Sequence, residues 1–96
     1  MKKFDGLNPL LHSQLRLAVV SILMSVESAE FVYIQEKTGA TAGNLSVQIN
    51  KLSKAGYLKV TKSFKNNKPL TSCKITQAGI AAFEEYVEKI QQYLKP

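Results

Sequence analysis

Apolar residues recur at helical spacing early in the chain, at Leu11, Leu15, Ala18, Ile22 and Val26, with Val19 and Leu23 widening the stripe. Asn8 followed by Pro9 marks the start of this first helix. An Asn side chain caps free N–H groups, and Pro at the first helical position gives up no donor that the helix needs. Ser28-Ala29-Glu30 opens a second helix of about three turns at most, with Phe31 and Ile34 turned inward. Gly39 closes it, because glycine accepts the left-handed conformation past a helix end. Thr41 follows as the cap of a third helix, so a very tight turn joins the two, the spacing of a helix-turn-helix. In this third helix Leu45, Ile49 and Leu52 form the buried stripe. Gly43, Val47, Asn50, Lys51 and Lys54 point the other way, Asn44 and Ser46 lie on the flanks, and Gly56 ends the helix.

The period then changes. Tyr57, Leu58, Val60, Ser63 and Phe64 alternate imperfectly with Lys59, Lys62 and Lys65, as in a half-buried strand. Lys65-Asn66-Asn67-Lys68-Pro69 is a turn by composition, and residues 70–75 return as a second strand. This predicts a two-stranded hairpin with a basic tip, and Pro69, which lacks an N–H, argues against the ladder reaching that tip. Thr76 caps the last helix, in which Ile80, Phe83, Val87, Ile90 and Leu94 are spaced as a heptad seam, with Tyr86 and Tyr93 beside it. A seam of two heptads suits packing on its own domain or contact with a second copy. The limited core of so short a chain favours dimerisation. The expected fold is α+β and mainly helical: a winged helix-turn-helix with a three-helix core, a two-stranded wing and a C-terminal helix over 76–95, in a single domain spanning 1–96.

Length bounds what such a fold can do. Ninety-six residues, 45% of them apolar, support one modest core and exclude a large enzyme. Thirteen Lys and Arg against seven Asp and Glu leave a formal charge of +6, and its layout says more than its size. No acid occurs between Glu36 and Glu84, whereas Lys37, Lys51, Lys54, Lys59, Lys62, Lys65, Lys68 and Lys74 all fall there. So segregated a field suits a polyanion, since a lysine face kept for solubility normally mixes signs. One cysteine, Cys73, and one histidine, His12, provide no intrachain disulfide and no zinc ligand set. Cys73 reads as a small buried hydrophobe and His12 as an exposed residue in the first turn of the first helix. No nucleophile is paired with a base, so no enzyme and no cofactor are expected. The start Met1-Lys2-Lys3-Phe4-Asp5-Gly6 lacks the apolar run of a secretory signal, and Leu15 to Met24 is too short to span a bilayer. A cytoplasmic protein without a membrane partner is the expectation.

Residues 31–83 resemble the small bacterial winged-helix transcriptional regulators related to the MarR and ArsR groups. The likeness is carried by Thr38-Gly39, Gly43-Asn44-Leu45-Ser46, Lys54-Ala55-Gly56-Tyr57, Lys68-Pro69 with Thr71, and Ile75-Thr76 with Gly79, and it reaches back through residues 16–23. It implies a homodimer on duplex DNA, with helix three in the major groove and the wing beside the adjacent minor groove. The family's recognition segment falls on Thr41, Gly43, Asn44, Ser46, Val47 and Asn50, and its wing on Lys65, Asn66, Asn67 and Lys68. Lys37, Lys51, Lys54 and Lys62 add phosphate contacts, and Ile80, Phe83, Val87, Ile90 and Leu94 form the expected dimer contact. The chain departs from many relatives at Ala40, at Gln48 where histidine is common, and at the arginine-free wing tip.

Twelve of the thirteen basic residues are lysines, and the lone arginine, Arg16, lies in helix one, away from the predicted recognition face. Lysine binds phosphate as a point charge, whereas Asn and Gln match adenine and Val47 suits a thymine methyl, which favours an A·T-rich operator. Any effector would act at the dimer interface, in a cleft between helices, or through a partner. Two other readings remain. A winged-helix protein-interaction module without specific DNA binding would not require the acid-free lysine field. Single-stranded nucleic-acid binding would use Tyr33, Tyr57 and Phe64 as stacking platforms.

Overall fold

A computed structural model describes residues 6–95, so the reading of Met1–Asp5 as lacking a secretory signal lies outside the described residues. The elements run α1 (Gln14–Met24), β1 (Ala29–Glu30), α2 (Phe31–Thr38), α3 (Ala42–Lys54), β2 (Leu58–Lys65), β3 (Lys68–Ile75) and α4 (Gln77–Leu94). The three strands form one antiparallel sheet in the order β1-β3-β2.

Asn8 does cap, but it caps a turn rather than the helix: its Oδ1 accepts from Leu10 N at 2.9 Å and Leu11 N at 3.3 Å. The chain then tightens through Ser13 N to Leu11 O at 2.8 Å, and α1 starts afresh from Ser13 in extended backbone. His12 consequently lies exposed in this turn, not in the first turn of the helix. The restart breaks phase with Leu11, so the buried face of α1 is Val19, Val20 and Leu23, while Leu15, Ala18, Ile22 and Val26 are half-buried. Leu11 is fully buried and enters the core from the turn.

Ser28-Ala29-Glu30 does not open a helix. Ala29 and Glu30 pair with Cys73 and Ser72, adding a third strand to the expected hairpin, and α2 begins at Phe31. Gly39 closes α2 at φ 71°, and Thr41 caps α3 by accepting from Asn44 N at 3.2 Å. Leu45, Ile49 and Leu52 are the buried residues of α3, as its periodicity predicts. Gly56, at φ 82°, donates to Ser53 O, and Tyr57 N reaches back to Leu52 O at 3.0 Å, the paired bonds by which a glycine turns the chain out of a helix.

The hairpin is longer than predicted. Asn66 and Asn67 occupy the left-handed region at φ 54° and 62°, making a two-residue turn, and the ladder runs unbroken to Lys65 opposite Lys68. Pro69 lies inside β3 opposite Phe64. The residues flanking a two-residue turn exchange the hydrogen bonds, so the next pair does not. The proline nitrogen therefore faces the edge that β1 does not reach, and no ladder bond is lost.

Thr76 ties the hairpin's two ends to α4: its N donates to Tyr57 O at 3.0 Å, its Oγ1 donates to Gly56 O at 2.6 Å and accepts from Gly79 N at 3.0 Å. Gly79 is buried where α4 crosses the Tyr57 carbonyl. Further along, Tyr86 is buried with its hydroxyl 2.9 Å from His12 Nδ1. Of the heptad seam, Ile80, Phe83, Val87 and Ile90 are half-buried and Leu94 is exposed. Among the described residues, no helix is long and apolar enough to cross a membrane.

Candidate nucleic-acid interface

Because Leu45, Ile49 and Leu52 hold α3 to the core, the helix must present its opposite side outward. That side faces the hairpin across an open cleft of about 1030 Å³. Gly43, Ser46, Val47 and Asn50 line it from α3, Lys62 and Thr71 from the hairpin, with Phe31 at its border. Five of the residues expected to meet DNA are thus gathered around one concavity.

The others divide by position. Thr41 holds the N-cap of α3. Asn44 and Lys51 lie on the flank of α3 turned away from the wing, and Lys54 is exposed in its last turn. Lys65, Asn66, Asn67 and Lys68 are all exposed at the hairpin tip. Lys37 is not brought to the cleft: it lies in the last turn of α2 with Nζ 5.6 Å from the Tyr33 ring, a cation–π contact at the helix end that favours a positive charge. Among the described residues none of the eight lysines in the acid-free interval has a carboxylate partner; Glu85 pairs at 3.0 Å with Lys89, on α4. The positive field over α3 and the wing is therefore not neutralised from within.

Phe64, expected to be half-buried, is 77% exposed. Only the base of β2 packs on the body, and the outer part of the hairpin projects with both faces in solvent. Tyr57, a stacking platform in the single-strand reading, is half-buried instead and accepts from Asn8 Nδ2 at 2.9 Å. Cys73 is buried in the middle of β3 between Ala29 and Val60, and burial pushes its thiol pKa up.

Two residues left out of the predicted site turn out to belong to its surroundings. Arg16 is not remote from α3: its Nε donates to Leu10 O at 2.6 Å and its Nη1 donates to Gln48 Oε1. Gln48 Nε2 in turn donates to Asn44 Oδ1 at 2.9 Å, so Gln48 is committed to its neighbours rather than open to adenine. The Asn44–Gln48 spacing of four residues was a legible local signal. Nothing local could announce Arg16, which arrives only because α1 packs on α3.

The sequence matches the family of winged helix DNA-binding domains over residues 15–94. An uncharacterised protein of Methanocaldococcus jannaschii is 34% identical over 84 residues, which is 88% of this chain and 91% of the relative. The solved transcriptional regulator homologue of Pyrococcus horikoshii superposes with a TM-score of 0.83 at 26% identity, covering 90% of this chain and 85% of that one. A MarR variant of E. coli solved with operator DNA shares the fold at a TM-score of 0.74 and 17% identity, over 91% of this chain and 61% of that one. With α3 and a basic wing set around one cleft, and with that match spanning most of its length, the chain belongs to the winged helix DNA-binding domain family.

Proposed function

We propose that this chain is a sequence-specific regulator that sets α3 into the major groove of duplex DNA and lays its wing along the backbone or the adjacent minor groove. The observation that carries this is the shared cleft onto which Gly43, Ser46, Val47, Asn50 and Lys62 converge, beneath lysines that have no acidic partner among the described residues. A helix about 10–12 Å across fits a major groove about 12 Å wide. It fits best where its first turns are small, and α3 begins with Ala42 and Gly43.

On this reading Ser46 and Asn50 hydrogen-bond to base edges and Val47, half of whose surface is exposed, meets a thymine methyl. Lys51, Lys54, Lys62, Lys65 and Lys68 bind phosphates as point charges, which positions the domain without reading sequence. Two copies act together through the far half of α4. Phe83 packs against the domain's own core, whereas Leu94 is 75% exposed at the end of the seam that Val87 and Ile90 continue. A dimer of this kind reads two half-sites about 34–36 Å apart, one turn of duplex.

Selection of bound duplexes from a random library, with the mass in solution measured by light scattering, tests both parts. Asn50→Ala is expected to lower discrimination between selected and random duplex, and Lys65→Ala or Lys68→Ala to weaken both about equally. Equal losses for all three variants would overturn α3 as the reading helix, and a monomeric mass on DNA would overturn the α4 contact.

A further inference from the structure

The hydrogen bonds on the flank of α3 form a chain with one possible direction. Arginine has only donors, so the Gln48 atom that faces Arg16 Nη1 must be the carbonyl Oε1. The Gln48 NH₂ is then the group facing Asn44, and the Asn44 atom that meets it must be Oδ1. Arg16 is itself anchored by its second bond to Leu10 O, in the turn that Asn8 caps while also holding Tyr57. The arginine therefore fixes the orientation of two amides that would otherwise flip freely.

Resting on the reading of α3 as the recognition helix, we infer that Arg16 is a positioning residue for base recognition: through Gln48 it holds the exposed Asn44 amide with its NH₂ group outward. Asn44 then approaches DNA as a donor, and prefers an acceptor edge, guanine O6 or thymine O4, over a donor edge, cytosine N4 or adenine N6. The two-way adenine contact open to a free asparagine requires the carbonyl as well, and here the carbonyl is turned along the helix to Gln48. Gln48, half-buried between Arg16 and Asn44, touches no base and acts only by passing the direction on.

The test measures binding to the selected half-site duplex and to duplexes with each base pair varied in turn. The readout is the ratio of affinities between duplexes differing at one position, so a uniform loss from altered charge or folded fraction cancels. Asn44→Ala marks the position: there the preference relaxes by about fivefold to tenfold, the scale of one lost neutral hydrogen bond. Arg16→Lys keeps the charge but not the fork, and is expected to relax the same position with an unchanged salt dependence. Gln48→Glu accepts from Arg16 with one oxygen and offers the other to Asn44. It turns the Asn44 NH₂ inward, and the preference at that position reverses toward donor edges. Thermal melts confirm that each variant is folded. If Gln48→Glu keeps the wild-type preference where Asn44→Ala relaxes it, or if Asn44→Ala relaxes none, the inference is overturned. In that outcome a changed preference in Asn50→Ala leaves the reading of α3 standing, whereas silence in all of these variants removes that reading too.

Discussion

Substituting Gly79 by alanine opposes two effects whose sizes follow from the structure. Alanine is the better helix former, by about 1 kcal/mol in a helix interior and less in the first turn, where Gly79 sits. Against this, a Cβ on Gly79 would overlap the Tyr57 carbonyl oxygen and lie 2.9 Å from Ile75 Cγ1 and 3.1 Å from the Tyr57 carbonyl carbon. The oxygen is backbone and cannot rotate aside. It accepts from Thr76 N at 3.0 Å, and the preceding carbonyl, that of Gly56, accepts from Thr76 Oγ1 at 2.6 Å. Relief requires α4 to lift by roughly an ångström to reach ordinary van der Waals separation, which stretches both Thr76 bonds. Overpacking of this sort costs about 1–3 kcal/mol, and each strained hydrogen bond up to about 1 kcal/mol more. The clash exceeds the propensity gain, leaving a net loss of about 1–3 kcal/mol. For a domain of this size that lowers the melting temperature by about 5–20 °C. Far-UV circular dichroism melts of wild type and Gly79→Ala measure it. An unchanged or higher melting temperature would falsify the seating of α4 on the Tyr57 carbonyl.

Gly43→Ala should behave oppositely, since nothing lies within 4 Å of an added Cβ there: stability rises by up to about 1 kcal/mol while DNA affinity falls as the methyl enters the cleft face. Melts and binding isotherms on the same sample check it, and lower stability or undiminished affinity would contradict it. Cys73 has its thiol pKa raised by burial above the ordinary 9.0. Below that value both folded and unfolded chains keep the proton. Above it the unfolded chain loses the proton first, so stability falls as pH rises toward the folded pKa. Urea midpoints should show this alkaline decline in wild type and less of it in Cys73→Ala, and a thiol reagent should react quickly only in denaturant. If the dimer neutralises ~6–10 phosphates, affinity drops by about 10³–10⁵ between ~50 and ~200 mM salt, and Lys62→Ala, which removes one phosphate contact from each protomer, lessens the logarithmic slope by about two. A flat salt response would dismiss the lysine field as the DNA contact.

Where sequence and structure agree, the signals are local. Thr41 and Thr76 cap helices because each side chain meets an N–H three residues on, and Gly39 and Gly56 turn the chain at positive φ. Leu45, Ile49 and Leu52 share a face by helical period alone. The candidate site was legible only as exposed surface: the outward residues of α3 and the basic tip of the hairpin could be named before any packing was known. Where they differ, a distant partner decides. Ala29-Glu30 is a strand only because β3 offers it an edge, and two residues have no period to reveal that. Pro69 is tolerated in β3 because β1 stops short of it. Phe64 has an apolar side chain in strand alternation, yet no body of protein lies against it.

The order of helices, the turn between α2 and α3, the hairpin and the acid-free run of lysines follow from the residues in line. Each depends on contacts within a turn or two, or on charge counted along the chain. The tertiary structure alone decided that five predicted DNA-contacting residues share one cleft, that α4 rests on Tyr57 through Gly79, and that Arg16 reaches Gln48, thirty-two residues away. That last contact sets which way an amide on α3 points. Hydrogen-bond direction depends on which donor stands opposite which acceptor, and only the packing of α1 on α3 brings those groups together.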